Sequence, residues 1–173
     1  MSLKRLKELF HELNCIQFGR FKLASGGISN YKIVCDLLFE NSEARGILGV
    51  LGYKMLQGIE NEKTYDIVGI VTGGYEFAKP VAEKAGRKVI GVNPHNSGVI
   101  GKVEKENVCY FEDVVTKGGS IIKSRNILRK FDGKDDNAIS IVDRQEGGLE
   151  NLRENEIELR SILTKTDLMI KDS

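Results

Sequence analysis

VCYFEDVVTKGGS, residues 108–120, decides how the rest of the chain is read. An apolar run of strand character leads into two adjacent carboxylates, Glu112 and Asp113. Two valines later comes a loop of hydroxyl, lysine, two glycines and hydroxyl, and then helical periodicity begins. In an open α/β sheet, ligands bind beyond the carboxyl ends of the strands, so this order places a site. The Gly118-Gly119 turn lets several backbone N–H groups converge. The N-terminus of the following helix adds partial positive charge, so the loop suits a phosphate. Thr116 and Ser120 add hydroxyl donors. Carboxylates repel phosphate, so Glu112 and Asp113 suit hydroxyl groups or a metal-bound water. A phosphate and a diol side by side describe a ribose 5-phosphate. An acid at a strand end is often only solvated, and a Gly-Gly loop often only turns the chain; the two in this order are more specific. Neither a G-x-x-x-x-G-K-[ST] loop nor a G-x-G-x-x-G fingerprint occurs.

Working outward, apolar strand-like runs lie at 66–71, 88–92, 107–111, 138–142 and 157–163. Between them, residues 74–85 and about 120–131 read as helices, the first closed by Gly86. Strands alternating with helices predict one α/β domain over residues 1–173, with a mostly parallel sheet and helices on both faces. Pro80 predicts that the helix at 74–85 starts late or bends. Upstream, Leu3, Leu6, Phe10 and Leu13 have helical spacing behind a Ser2 cap. Phe18, Phe21 and Leu23 suggest short strands around a turn. Ser42 is placed to cap a helix over about 43–58, with Ile47, Leu48, Leu51 and Met55 inward. Its glycines, Gly46, Gly49 and Gly52, weaken it in isolation but permit close packing.

Composition removes other chemistries. Hydrophobic residues make up 40% and charged ones 29%, and Lys+Arg 26 against Asp+Glu 25 leaves a net charge of +1. No global field therefore favours nucleic acid or an acidic membrane. No apolar run reaches the ~18–20 residues of a membrane-spanning helix. The first residues read as an amphipathic helix rather than a signal peptide. The three cysteines have neither metal spacing nor an even count, so reduced thiols and a cytoplasmic location are expected. With two histidines and no Cys/His cluster, a zinc site is not expected.

Residues 108–120 resemble the phosphoribosyl pyrophosphate (PRPP) motif of type I phosphoribosyltransferases. Three further stretches narrow the resemblance to the orotate phosphoribosyltransferases: FKLASGGISNY at 21–31, GIVTGGYEFA at 69–78 and VDRQEGGLENL at 142–152. The four elements stand in family order, and the similarity covers about residues 8–170. The resemblance implies a type I phosphoribosyltransferase-like fold with a small hood from about residues 15–35 and the C-terminal segment. It implies transfer of a phosphoribosyl group from PRPP to orotate, with magnesium carried by PRPP and no direct protein ligand to the metal. Glu112 and Asp113 would hold the ribose hydroxyls, and Thr116, Lys117, Gly118, Gly119 and Ser120 the 5-phosphate. Thr72, Gly73 and Gly74 would approach the pyrophosphate. Arg144 would face orotate, with Ser25, Gly26, Thr116 and the backbone near Lys32 around it. Asp113 and His95 would be the catalytic pair. Arg144 has independent support: it follows an apolar strand, where a guanidinium can grip a planar anion bidentately. A salt bridge to Asp143 or Glu146 is the plainer reading of the same residue.

The chain departs from the family pattern at the hood loop, 92–103, VNPHNSGVIGKV. Asn93 and Pro94 stand where the family has a basic pair, and His95 and Lys102 are the remaining candidates. Ala24 replaces a usual lysine, Lys32 a usual aromatic, and Tyr75-Glu76 a usual Ile-Pro. Two functions therefore stay open: an orotate phosphoribosyltransferase, or a non-catalytic PRPP- or nucleotide-binding regulator of the same fold. A transferase for another base is a third. The resemblance also implies a homodimer, in which the hood loop reaches the neighbouring subunit's site.

Overall fold

Ser2 starts the chain's first helix as expected, its side chain accepting a hydrogen bond from the Arg5 N–H. The computed structural model describes residues 2–22, 27–61, 63–105, 107–128 and 135–170. Helix α1 (Leu3–Glu12) buries Leu6, Leu9 and Phe10, while Leu3 stays exposed. A hairpin follows, β1 (Ile16–Lys22) and β2 (Ile28–Ile33), antiparallel and separate from the main sheet. This is the expected hood; Leu23, Ser25 and Gly26 lie outside the described residues. A five-residue helix, α2 (Asp36–Glu40), leads into α3 (Ser42–Glu60). The cap of α3 is Asn41 rather than Ser42, because the Asn41 side chain accepts from the Ala44 N–H.

Strand β3 (Tyr65–Ile70) and helix α4 (Gly73–Ala85) come next, then β4 (Val89–Asn93) and β5 (Gly98–Ile100). Strand β6 (Asn107–Val115) leads to α5 (Gly119–Leu128), and β7 (Asp135–Asp143) to α6 (Gly148–Glu154). The described chain ends in β8 (Ile157–Thr164) and α7 (Lys165–Met169). The sheet order is β5-β4-β3-β6-β7-β8, parallel except for β4 with β5. Alternation sends Ile67, Cys109 and Phe111 to one face and Val68, Ile70, Val108 and Tyr110 to the other. Helices cover both faces, which is why these strands read as apolar runs. The Phe77 and Phe111 rings meet edge to face at 5.3 Å, a geometry worth about 0.5–1.5 kcal/mol beyond burial. Cys15, Cys35 and Cys109 are buried and unpaired, and burial pushes the Cys15 thiol up to about 11.

Helix α4 overturns the expectation of a late start, since it begins at Gly73 and runs through Pro80. The proline is buried, and a Cβ on Gly49 of α3 would stand 2.9 Å from its carbonyl oxygen. One at Gly52 would stand 2.6 Å from Val81 Cγ2. These two glycines bring α3 onto α4, and that packing offsets the missing backbone donor. Gly46 meets nothing and has no such role.

Candidate active site

Strand β6 is longer than its apolar run, so Glu112 and Asp113 lie within it rather than beyond its end. Successive strand residues point to opposite faces, and the two acids divide accordingly. Glu112 lines a small hollow together with Thr116, Gly118, Gly119 and Ser120. Asp113 turns toward the start of α4. A Cβ on Gly73 would stand 2.3 Å from Asp113 Oδ2, so only a residue without a side chain lets the carboxylate lie there. At Gly74 a Cβ would come within 2.1 Å of the Phe111 carbonyl oxygen. The glycine pair thus sets the N-terminus of α4 directly against the acidic end of β6. Thr72 caps that helix by position, its carbonyl accepting from the Tyr75 and Glu76 N–H groups, and the Val71–Thr72 peptide is cis.

Burial pushes the Glu112 carboxyl well above the ordinary carboxylate range, and the neighbouring Asp113 charge adds to the shift. Burial also raises Asp113, against hydrogen bonds from Glu112 and the Val114 backbone that lower it. Both shifts favour the neutral form, that of Glu112 the more strongly.

The phosphate-type loop between β6 and α5 rests on α6. Gly118 has φ +72°, and a Cβ there would stand 2.7 Å from Leu152 Cγ. A Cβ on Gly148 would meet the Thr116 carbonyl oxygen at 2.6 Å. Asn151 Nδ2 donates to the Lys117 carbonyl at 2.7 Å, turning that oxygen toward α6. Lys117 itself is exposed. Asn151 escaped sequence reasoning because its partner is distant in the chain and amides on helices are ordinary.

Arg144 follows β7 and is only 6% exposed. Its N–H donates to the Val115 carbonyl, tying it to the end of β6. Its Nε donates to the Tyr31 hydroxyl at 3.0 Å and its Nη2 to Ser29 Oγ at 3.2 Å. The Tyr31 ring lies 4.5 Å below the guanidinium carbon. Ser29 and Tyr31 share one face of β2, so the hood packs over the end of β7. Lys32 alternates to the opposite face and is exposed, leaving its backbone as the part adjoining Arg144's neighbours. The plainer reading also has substance, since Glu146 Oε1 pairs with Arg144 Nη2 at 2.8 Å.

The orotate phosphoribosyltransferase of Methanocaldococcus jannaschii is 34% identical to this chain over 171 residues, 95% of each. The chain belongs to the orotate phosphoribosyltransferase family. The Methanococcus maripaludis enzyme of that name is 32% identical over 97% of this chain and 95% of its own. The crystal structure of orotate phosphoribosyltransferase from Aeropyrum pernix superposes with a TM-score of 0.82 at 26% identity, covering 95% of this chain and 96% of that one. No protein-family model matches.

At residues 92–103, expected to depart from the family pattern, β4 and β5 form a short hairpin on the sheet edge. Asn93 Oδ1 accepts from the His95 N–H and Asn96 Oδ1 from the Gly98 N–H, both at 2.9 Å. His95 is exposed on this turn, and among the described residues no side-chain hydrogen bond or ion pair ties it to the site. Among the described residues there is also no group of three or more His, Cys, Asp or Glu that could hold a metal. A carboxylate pair beside a phosphate-type loop still fits magnesium arriving on a phosphorylated ligand, which needs one or two carboxylates and the ligand's own oxygens.

Proposed function

We propose that this protein transfers the 5-phosphoribosyl group of PRPP to orotate, giving orotidine 5-monophosphate and pyrophosphate. The observation that carries this reading is the single hollow shared by Glu112 and the Thr116–Ser120 loop, with Arg144 tethered to the adjoining strand end. Thr116, Ser120 and the amides from Lys117 to Gly119 hold the 5-phosphate. Glu112 and Asp113 accept hydrogen bonds from the ribose hydroxyls, which fixes the sugar's C1 relative to both ends of the site. Gly73 and Gly74, at the positive end of α4, face the pyrophosphate. Arg144 takes the orotate carboxylate, with Ser25, Gly26 and the Lys32 backbone around the base.

In the reaction the bond from C1 to the pyrophosphate oxygen breaks and a bond from C1 to an orotate ring nitrogen forms. Negative charge grows on the leaving group, where fixed dipoles stabilise it most effectively. Magnesium on PRPP would neutralise part of that charge. Asp113 steadies the sugar as positive charge develops at C1, and His95, exposed on the β4–β5 turn, is the candidate to assist departure, reaching a neighbouring subunit's site in the homodimer. The same reading includes a cytoplasmic homodimer whose hood loop serves the neighbouring site.

The test is pyrophosphate release from PRPP, magnesium and orotate. Orotate-dependent release is expected, and Arg144→Ala should raise the orotate KM at least tenfold while PRPP affinity changes less than twofold. If ribose 5-phosphate binds but orotate triggers no release at high enzyme concentration, the protein is a non-catalytic binding module.

A further inference from the structure

We propose that Glu146 is a stand-in for the substrate's carboxylate: it occupies the Arg144 guanidinium while the base site is empty and swings away when an anionic base arrives. The inference rests on Arg144 being the orotate anchor.

The donors of Arg144 can be counted. Nε goes to the Tyr31 hydroxyl, and Nη2 is shared between Ser29 Oγ and Glu146 Oε1. Nη1 has no acceptor among the described residues. The Tyr31 ring covers one face. Of these partners only Glu146 is charged. The other nearby acid, Asp143, is itself buried and accepts the Gln145 N–H at 2.7 Å. A guanidinium this buried needs a counter-charge, so Glu146 is what balances it in the empty site.

Glu146 is also the partner free to leave. Its side chain is 30% exposed, against 7% for Arg144, and its other hydrogen bond, from the Tyr31 hydroxyl, is long at 3.4 Å. The backbone on either side is fixed. Gln145 has φ 56°, and its Oε1 accepts from the Thr166 N–H and hydroxyl at 3.1 and 2.6 Å. Gly147, at φ 89°, caps α6. Rotation about the Glu146 side-chain bonds therefore moves the carboxylate without moving the chain. Ser29 and Tyr31 cannot withdraw so simply, because both belong to the β1–β2 ladder. An arriving carboxylate then meets Nη2 as Glu146 releases it, and Nη1 beside it, which together make a bidentate grip.

Such a stand-in keeps the anchor oriented and its charge balanced, and it competes with the substrate. Glu146→Gln weakens the competitor, so the orotate KM should fall about fivefold, roughly 1 kcal/mol at 1.4 kcal/mol per tenfold. The orotate Kd from calorimetry should fall with it, while the PRPP KM holds within twofold. Glu146→Ala, the second variant, should move the orotate values in the same direction. A merely structural role would raise the orotate KM. An orotate KM that rises or stays level in both variants, while Arg144→Ala still raises it at least tenfold, overturns the stand-in alone. Orotate binding left unchanged by Arg144→Ala overturns the base-site reading beneath it.

Discussion

One methyl group added at Gly73 or at Gly74 separates the chemistry of this site from its packing. At Gly73 the new Cβ would lie 2.3 Å from Asp113 Oδ2 and 2.4 Å from its Cγ. The obstacle is the end of a side chain, so Asp113 rotates aside and the backbone stays. At Gly74 the new Cβ would lie 2.1 Å from the Phe111 carbonyl oxygen and 2.9 Å from Glu112 Cα. That obstacle is main chain in β6, which is hydrogen-bonded to β3 on one side and β7 on the other. Helix α4 must back away by about an ångström, and close-packed interiors resist this. Overpacking costs about 1–3 kcal/mol, with Gly74→Ala at the upper end and Gly73→Ala at the lower. For a chain of this size 1 kcal/mol moves Tm by about 2–4 °C, so Gly74→Ala should lose roughly 6–12 °C and Gly73→Ala roughly 2–4 °C. Ligand affinity should rank them oppositely. Displacing Asp113 removes a hydrogen bond to a charged group, about 1.5–3 kcal/mol, or roughly tenfold to a hundredfold in ribose 5-phosphate affinity. Differential scanning calorimetry and titration with ribose 5-phosphate and magnesium measure both. Wild-type affinity in Gly73→Ala would refute the claim that Asp113 holds the sugar. Equal loss of Tm in the two variants would refute the division between side-chain and backbone obstruction.

Two further outcomes follow from the same geometry. Glu112→Gln should stabilise the free protein in a pH-dependent way. The folded carboxyl is raised, so above the ordinary carboxylate range the folded chain holds a proton that the unfolded chain has released, and stability falls as pH rises. The Tm advantage of the variant should vanish below about pH 4 and grow toward about pH 8, with weaker ribose 5-phosphate binding throughout; a lower Tm than wild type at the alkaline end would contradict it. Asn151→Ala frees the Lys117 carbonyl from α6, a loss of about 1 kcal/mol, so PRPP affinity should drop about fivefold in titration calorimetry with the orotate KM unchanged. Equal losses for both ligands would assign Asn151 to general stability instead.

What could be read from the sequence follows from what is contiguous. The central strands are covered on both faces, so they appear as apolar runs whatever lies beside them, and the α/β class with its parallel sheet emerges from those runs. Strand β6 outruns its apolar run because Glu112 is buried and Asp113 half-buried by the loop and helix around them. Strand β5 is three residues of a glycine-bounded segment, too short for any period. Pro80 argued against an unbroken α4, and packing on Gly49 from a separate helix overrode the local rule. The site divides in the same way. The loop at 116–120 is continuous in sequence and was legible; Arg144 and its partners Tyr31 and Ser29 are 113 and 115 residues apart, so their contact could not be read from spacing. Glu146, two residues from Arg144, was legible as its partner; Ser29 and Asn151 took on roles only when the β1–β2 hairpin, the end of β7 and helix α6 were seen together.

The β4–β5 hairpin bears on how the site's electrostatics are arranged. Asn93 and Asn96 spend their side chains closing the turn onto the His95 and Gly98 N–H groups. A residue that caps its own turn is well chosen for a rigid edge and poorly chosen for reaching a ligand. Cationic side chains at 93 and 94 would have needed the opposite, a long open loop with charges free to travel. On the proposed reading, the positive potential left for a departing pyrophosphate is therefore mostly built in at the N-terminus of α4, held against β6 by two glycines. Fixed dipoles of this kind need no reorganisation as charge develops, whereas a mobile lid must close first. On the proposed reading, the feature that replaces the basic pair also holds the bound ligand, so binding and charge stabilisation draw on the same few backbone groups. Close approach already leaves Gly73, Gly74 and Gly118 little room for a side chain, so a change there disturbs binding and charge stabilisation together.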